Sequence, residues 1–173
     1  MGFNYEKLEK DLLAAIEKYA KSQLDKKEDI YIMSVEYYPD FTTFVTVRGN
    51  TYSYLSEQVE EEDEEYTYYK YCEEEWDLWE DMKEISAVLQ EEYKEMEEKY
   101  GDEFYELQRE HATKIIAVCR NAMKEFKETD VYREFPKLYL NVYVREYFSR
   151  EETLEIFREL NGEEAIEEYS DWL

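Results

Sequence analysis

Near the start of the chain, Leu8, Leu12, Ile16, Tyr19 and Gln23 recur at three-to-four spacing, with Ala15 and Ala20 beside them. That period puts one apolar stripe on a helix whose other side is Lys and Glu. Asn4 stands where a cap is needed, and Phe3 and Leu8 occupy the staple positions around it. From Ile30 the period falls to two. Tyr31, Met33, Val35 and Tyr37 alternate with Ile32, Ser34 and Glu36, and Pro39-Asp40 turns the chain into a second strand over Thr42 to Arg48. Gly49-Asn50 is expected to end this hairpin, and Thr51 to Gln58 reads as a polar and aromatic connection.

The six residues Glu60, Glu61, Glu62, Asp63, Glu64 and Glu65 carry no compensating base. Like charges repel and stay solvated, so this run is expected to be a mobile loop. Tyr66 to Tyr71 alternates Tyr with polar residues and suits a third strand, with Lys70 and the flanking acids discouraging further pairing. Apolar positions from Trp76 through Trp79, Ile85, Leu89 and Tyr93 to Tyr100 keep a helical period, which Gly101 is placed to end. A second helix, starting near Asp102 and burying Phe104, Ile115, Val118, Cys119 and Phe126, should pack antiparallel to it. After a loop around Thr129 to Pro136, Leu138, Leu140, Val142 and Val144 alternate as a fourth strand. Ser149 and Glu152 form a capping box for a helix that Asn161-Gly162 stops, and a short acidic helix reaches Trp172. The order predicts a single α+β domain over residues 1–173, with a mainly antiparallel sheet of about four strands covered by helices on one face.

Charge changes this picture most. Against 21 Lys and Arg stand 46 Asp and Glu, a formal net charge of −25. Such an excess raises self-repulsion in the compact state and points to solubility or a positively charged partner. The chain is nevertheless not a disordered acidic tail, because 19 Tyr, 8 Phe and 3 Trp are enough to build a core. Direct nucleic-acid binding is disfavoured, since phosphate contacts need clustered Lys and Arg. No apolar stretch is long enough for a membrane span, and Met1 to Lys10 lacks the regions of a signal peptide, so the expected location is cytoplasmic. Cys72 and Cys119, 47 positions apart and outside any CxxC pattern, are expected to be reduced.

Candidate chemistry is sparse. His111 is the sole histidine, and a Cys119/His111 dyad would span two helical turns, about 12 Å, too far for a direct hydrogen bond. The acid runs lack the glycine-directed turn of a calcium loop, one His cannot supply the two Glu-x-x-His motifs of a di-iron site, and no phosphate-binding or nucleophile-elbow motif occurs. We therefore expect no enzyme and no cofactor or metal.

The interleaving of aromatics and acids is more specific. Tyr68 and Tyr69 lie between the acid run and Glu73-Glu74-Glu75, with Trp76 next. Alternate tyrosines could line a core face with the acids as its wet margin. Outward tyrosines and carboxylates would instead make a partner-binding surface of Glu60 to Glu65, Tyr68, Tyr69, Glu73, Glu74, Glu75 and Trp76, because aromatics are favoured hot-spot residues and an acidic field speeds encounter with a basic partner.

The order of an N-terminal helix, the strand Ile30-Tyr31-Ile32-Met33-Ser34-Val35, the Asn50-Thr51 pair, the Tyr-rich segment running into Glu75-Trp76, and the late strand Leu138 to Val144 with a helix ending Leu160-Asn161 resembles a family of small bacterial domains. Those domains occur among immunity proteins of polymorphic-toxin and contact-dependent inhibition systems. The resemblance implies an inhibitor that binds a cognate toxin, a basic protein such as a nuclease. Other classes stay open: a nucleic-acid mimic directed at a DNA- or RNA-handling enzyme, a carboxylate-dependent enzyme, and an acidic housekeeping domain.

Overall fold

The computed structural model describes residues 3–39, 43–145 and 147–173; the predicted turn residue Asp40 and the predicted strand start Thr42 lie outside them. Helix α1 covers Tyr5–Lys26, capped by Asn4, whose side chain accepts from the Lys7 backbone N–H. Strands β1 (Ile30–Tyr38) and β2 (Phe44–Thr51) form the expected antiparallel hairpin, with Val35 opposite Val47. Contrary to expectation, β2 does not stop at Gly49. A Cβ there would lie 2.7 Å from Ile30 Cδ1 and 3.1 Å from the Ile32 carbonyl oxygen, so this glycine serves a close approach inside the sheet rather than a turn. Asn50 stays in the strand because its amide finds buried partners: Nδ2 donates to the Tyr31 hydroxyl at 3.1 Å, and Oδ1 accepts from the Thr51 N–H.

The connection after β2 is helix α2 (Tyr52–Gln58), and the Tyr-rich segment is helix α3 (Tyr66–Tyr71), not the predicted third strand. Tertiary anchoring overrides the local β-propensity there. The Lys70 carbonyl accepts from the Tyr31 hydroxyl at 2.8 Å and from Trp76 Nε1 at 3.2 Å, while the Tyr71 ring enters the core. The third strand is instead β3 (Leu78–Asp81), inside the segment expected to be helical. It pairs antiparallel with β2, Glu80 opposite Val47, and the Met82 N–H continues the pairing to the Val45 carbonyl at 2.9 Å. Helix α4 therefore starts only at Lys83 and runs to Tyr100; after a 3₁₀ turn at Gly101–Glu103, α5 covers Phe104–Lys127. A one-turn helix α6 (Asp130–Arg133) leads to β4 (Tyr139–Tyr143). Helix α7 (Arg150–Asn161) carries the Ser149/Glu152 capping box and ends at Gly162 with φ +88°, and α8 spans Ile166–Trp172.

The sheet order is β3-β2-β1-β4, and β4 runs parallel to β1 with Val142 beside Val35. The sheet is thus mixed rather than purely antiparallel, because the chain reaches β4 by way of the long helices, the kind of crossover a parallel pair requires. One face carries Met33, Val35, Tyr37, Val45, Val47, Leu140 and Val142 against α1, α4 and α5 in the larger core. The other face is covered too, which differs from the expected one-sided packing. Tyr31, Ile32, Leu55, Tyr71, Trp76, Phe157 and Tyr169 make a second core beneath α2, α3 and α8. A register shift between Ile30 and Ile32 lets β1 serve both: Ile30 belongs to the first core, Tyr31 and Ile32 to the second.

Candidate partner-binding surface and its buried support

The acid run is folded rather than extended. The Asp63 N–H donates to the Glu60 carbonyl at 3.0 Å, the Tyr66 N–H to the Asp63 carbonyl at 3.1 Å, and the Glu65 N–H to Asp63 Oδ1 at 2.9 Å. All six side chains are exposed, and among the described residues no Lys or Arg forms an ion pair with any of them. The run leads directly into α3, where Tyr68 is 42% exposed and donates its hydroxyl to Glu75 Oε1 at 2.8 Å. Tyr69 packs edge-on against Tyr68 with ring centroids 5.4 Å apart. Exposed Glu74 and half-buried Glu75 complete a contiguous acidic and aromatic patch.

Glu73 and Trp76, the remaining residues of the sequence-derived surface, lie inside. Trp76 belongs to the second core. Glu73 points into the sheet, where Asn141 Nδ2 donates to its Oε1 at 2.8 Å. Beside it, three donors converge on one oxygen of buried Glu36: the Tyr38 hydroxyl at 2.8 Å, Arg48 Nε at 3.0 Å and the Thr46 hydroxyl at 3.2 Å. Arg48 Nη1 also reaches the Glu73 carbonyl oxygen at 3.1 Å, so one guanidinium binds both the strand carboxylate and the turn below α3.

Burial pushes the Glu73 carboxyl up to about 8, and the neighbouring Glu36 charge adds to the effect. Burial also raises Glu36, against the opposing pull of Arg48. At neutral pH the pair accordingly shares less than two full charges, and one guanidinium is enough to balance it. Further along the same face, Tyr169 stacks flat on Phe157 at 3.7 Å and α8 presents Glu168, whose carboxylate accepts from the Tyr71 hydroxyl at 3.0 Å and pairs with Lys70. These contacts fix α3 from below and from the side. They form an anchor that holds the exposed aromatics and acids in place.

Sequence reasoning missed this anchor. A charged residue in the middle of an apolar strand, as Glu36 is, is almost never fully buried without a partner; that rule and the nearby Arg48 were the available signal. It also placed Trp79 on the apolar period of a helix, whereas Trp79 sits on edge strand β3 and is 62% exposed.

His111 is buried, with its Nδ1 2.6 Å from the Tyr5 hydroxyl and its ring against Phe3 and Tyr93. Cys119 is buried, Cys72 is half-buried, and both are free thiols. Among the described residues, no group of three or more His, Cys, Asp or Glu is arranged to hold a metal ion, and no helix is long and apolar enough to cross a membrane.

The architecture is that of an α+β domain with a four-stranded mixed sheet covered on both faces. The model of a domain of unknown function, DUF4303, matches residues 10–162, and the chain belongs to that family. Comparison with curated proteins and with solved structures gives no match.

Proposed function

We propose that this protein is a non-catalytic inhibitor of the immunity type, which binds a cognate basic toxin domain such as a nuclease through the acid run and the adjoining face of α3. The observation that carries this reading is the exposure of six carboxylates without ion-pair partners among the described residues, held in hydrogen-bonded turns against a helix that is itself locked into the core. A mobile acidic loop would lose ordering entropy on binding; a preformed one loses less. Its field speeds encounter with a basic partner, and Tyr68 and Tyr69 supply contact area at the short range where charge alone does not discriminate.

The test is direct. The gene next to the one encoding this chain is examined for the C-terminal domain of a large secreted toxin, and that domain is co-expressed with the chain. A one-to-one complex that survives gel filtration, together with rescue of growth, is the expected result. Absence of a complex at low ionic strength, where the electrostatic contribution is greatest, would overturn the proposal.

A further inference from the structure

On the opposite layer of the molecule from the acid run, α1 and α4 diverge over the edge of the sheet and leave an open groove of about 1240 Å³. Its floor is apolar: Leu8, Met82 and Ile85 are buried beneath it, while Ala14 and Ala15 keep the α1 wall low. Two of the most exposed large hydrophobic side chains border it, Trp79 at 62% and Val88 at 46%. Along α1 the groove runs from Asn4 to Lys18, about 21 Å at the helical rise, which matches a helix of about 14 residues.

Its banks differ in charge. The β3/α4 side carries Glu80, Asp81, Glu84, Glu92 and Glu95 against Lys83 alone. On the α1 side, Lys7 is paired with Asp11 at 2.5 Å, so that among the described residues Lys18 is the cation of that wall without an ion pair. A second copy of this chain, itself at −25, would bring like charge to an acidic bank. An added strand is disfavoured as well, since β3 is four residues long and Glu80 and Asp81 are exposed on it.

We propose that this groove is a second docking surface, which takes an amphipathic helix of a partner protein with its apolar face on Val88 and Trp79 and its basic face along the α4 bank. Two helices already form the walls, and a third completes the layer in the helix-in-groove mode. The proposal stands independently of the role given to the acid run.

The probe is a synthetic peptide of about 14 residues built of Lys, Leu and Ala with leucines at helical spacing, compared with a scrambled peptide of the same composition. Both are titrated into the isotope-labelled full chain at physiological ionic strength. The expected result is that the amphipathic peptide shifts the backbone resonances of Ala14, Ala15 and Val88 and the indole resonance of Trp79, and binds about tenfold or more tighter than the scrambled one. Ala14→Arg, which adds bulk and positive charge at an exposed position, should weaken binding by about tenfold, and Val88→Gln provides a second, conservative probe should the first variant misfold. Replacing Glu60, Glu61, Glu62, Glu64 and Glu65 by Gln and Asp63 by Asn should leave the peptide's affinity within about threefold. Equal binding of the two peptides would reduce the effect to net charge and overturn the proposal. So would shifts confined to the acid run, or loss of binding only in the variant neutralised there; either would leave the acid-run reading intact.

Discussion

Asn141 in the parallel edge strand and Glu73 in the turn below α3 meet at 2.8 Å, both buried, so the turn that follows α3 is tied to the sheet through a carboxyl that prefers to keep its proton. This links the acidity of the chain to its stability in a way that its surface charge alone would not.

The first expectation concerns pH. Because the folded protein holds the Glu73 proton up to about 8 while the unfolded chain releases it near the ordinary value of 4.5, the folded state binds more protons between those limits. Stability is then fully present below about pH 4.5 and declines as pH rises through about 8. Glu73→Gln keeps the shape and the acceptor for Asn141 without an ionisable group. In denaturant titrations, the loss of stability between about pH 5 and pH 8 should shrink by about 2 kcal/mol or more in the variant. Equal pH slopes in parent and variant would show that Glu73 ionises freely in the fold.

His111 acts in the opposite direction. Burial, with Lys114 nearby, holds its imidazole down to about 4 against an ordinary 6.5. The folded protein therefore keeps it neutral, and the stability this contributes is present above about pH 6.5 and fades as pH falls towards 4. His111→Ala should cost about 1 to 3 kcal/mol at neutral pH from lost packing and an unpartnered Tyr5 hydroxyl, yet flatten the decline on the acid side. Partner binding by the folded variant should be unchanged, as should that of Cys119→Ser; loss of binding in either would point to chemistry at these groups.

Leu140 is fully buried between β1 and the helices. Leu140→Ala should cost about 2 to 5 kcal/mol. A change below about 0.5 kcal/mol in the unfolding free energy from a urea titration would mean that the edge strand is not part of the cooperative core.

At the proposed partner surface, charge and aromatic contact should fail differently. Neutralising Glu60 to Glu65 with Gln and Asn should slow association and flatten its salt dependence, because exposed charges act over a Debye length of about 8 Å. Tyr68→Ala should mainly speed dissociation, by about 2 kcal/mol if the ring sits at the centre of the contact. Stopped-flow binding to the cognate toxin domain at two salt concentrations separates the two. An unchanged association rate for the neutralised variant would make the run a solubilising loop.

Much of the larger core was legible in advance. Leu8, Leu12, Ile16, Val35, Val45, Leu89, Ile115, Val118, Leu140 and Val142 share one cluster, because each lies on the apolar stripe or alternation of an element that must bury it. The Asn4 cap and the Ser149/Glu152 box were equally readable, since capping is a local hydrogen-bond requirement. Tyr66 to Tyr71 was not readable. Its pattern favours a strand, and only distant partners, Tyr31 and Glu168, make a helix the better solution. Leu78 to Asp81 failed in reverse: its acids suit the start of a helix, but the free edge of β2 takes it as a strand.

The sequence by itself determined the class of the fold, the first helix and the hairpin after it, much of the main core and the excess of acidic charge, because periodicity and net charge are properties of the chain alone. Tertiary structure decided which of the predicted site residues face outward. Glu60 to Glu65, Tyr68 and Glu74 are exposed, while Glu73 and Trp76 are buried in an anchor with Asn141, Arg48 and Lys70. No local pattern specifies that division, since a carboxylate can be buried only where donors from other segments converge on it, and those donors are brought together by strand register.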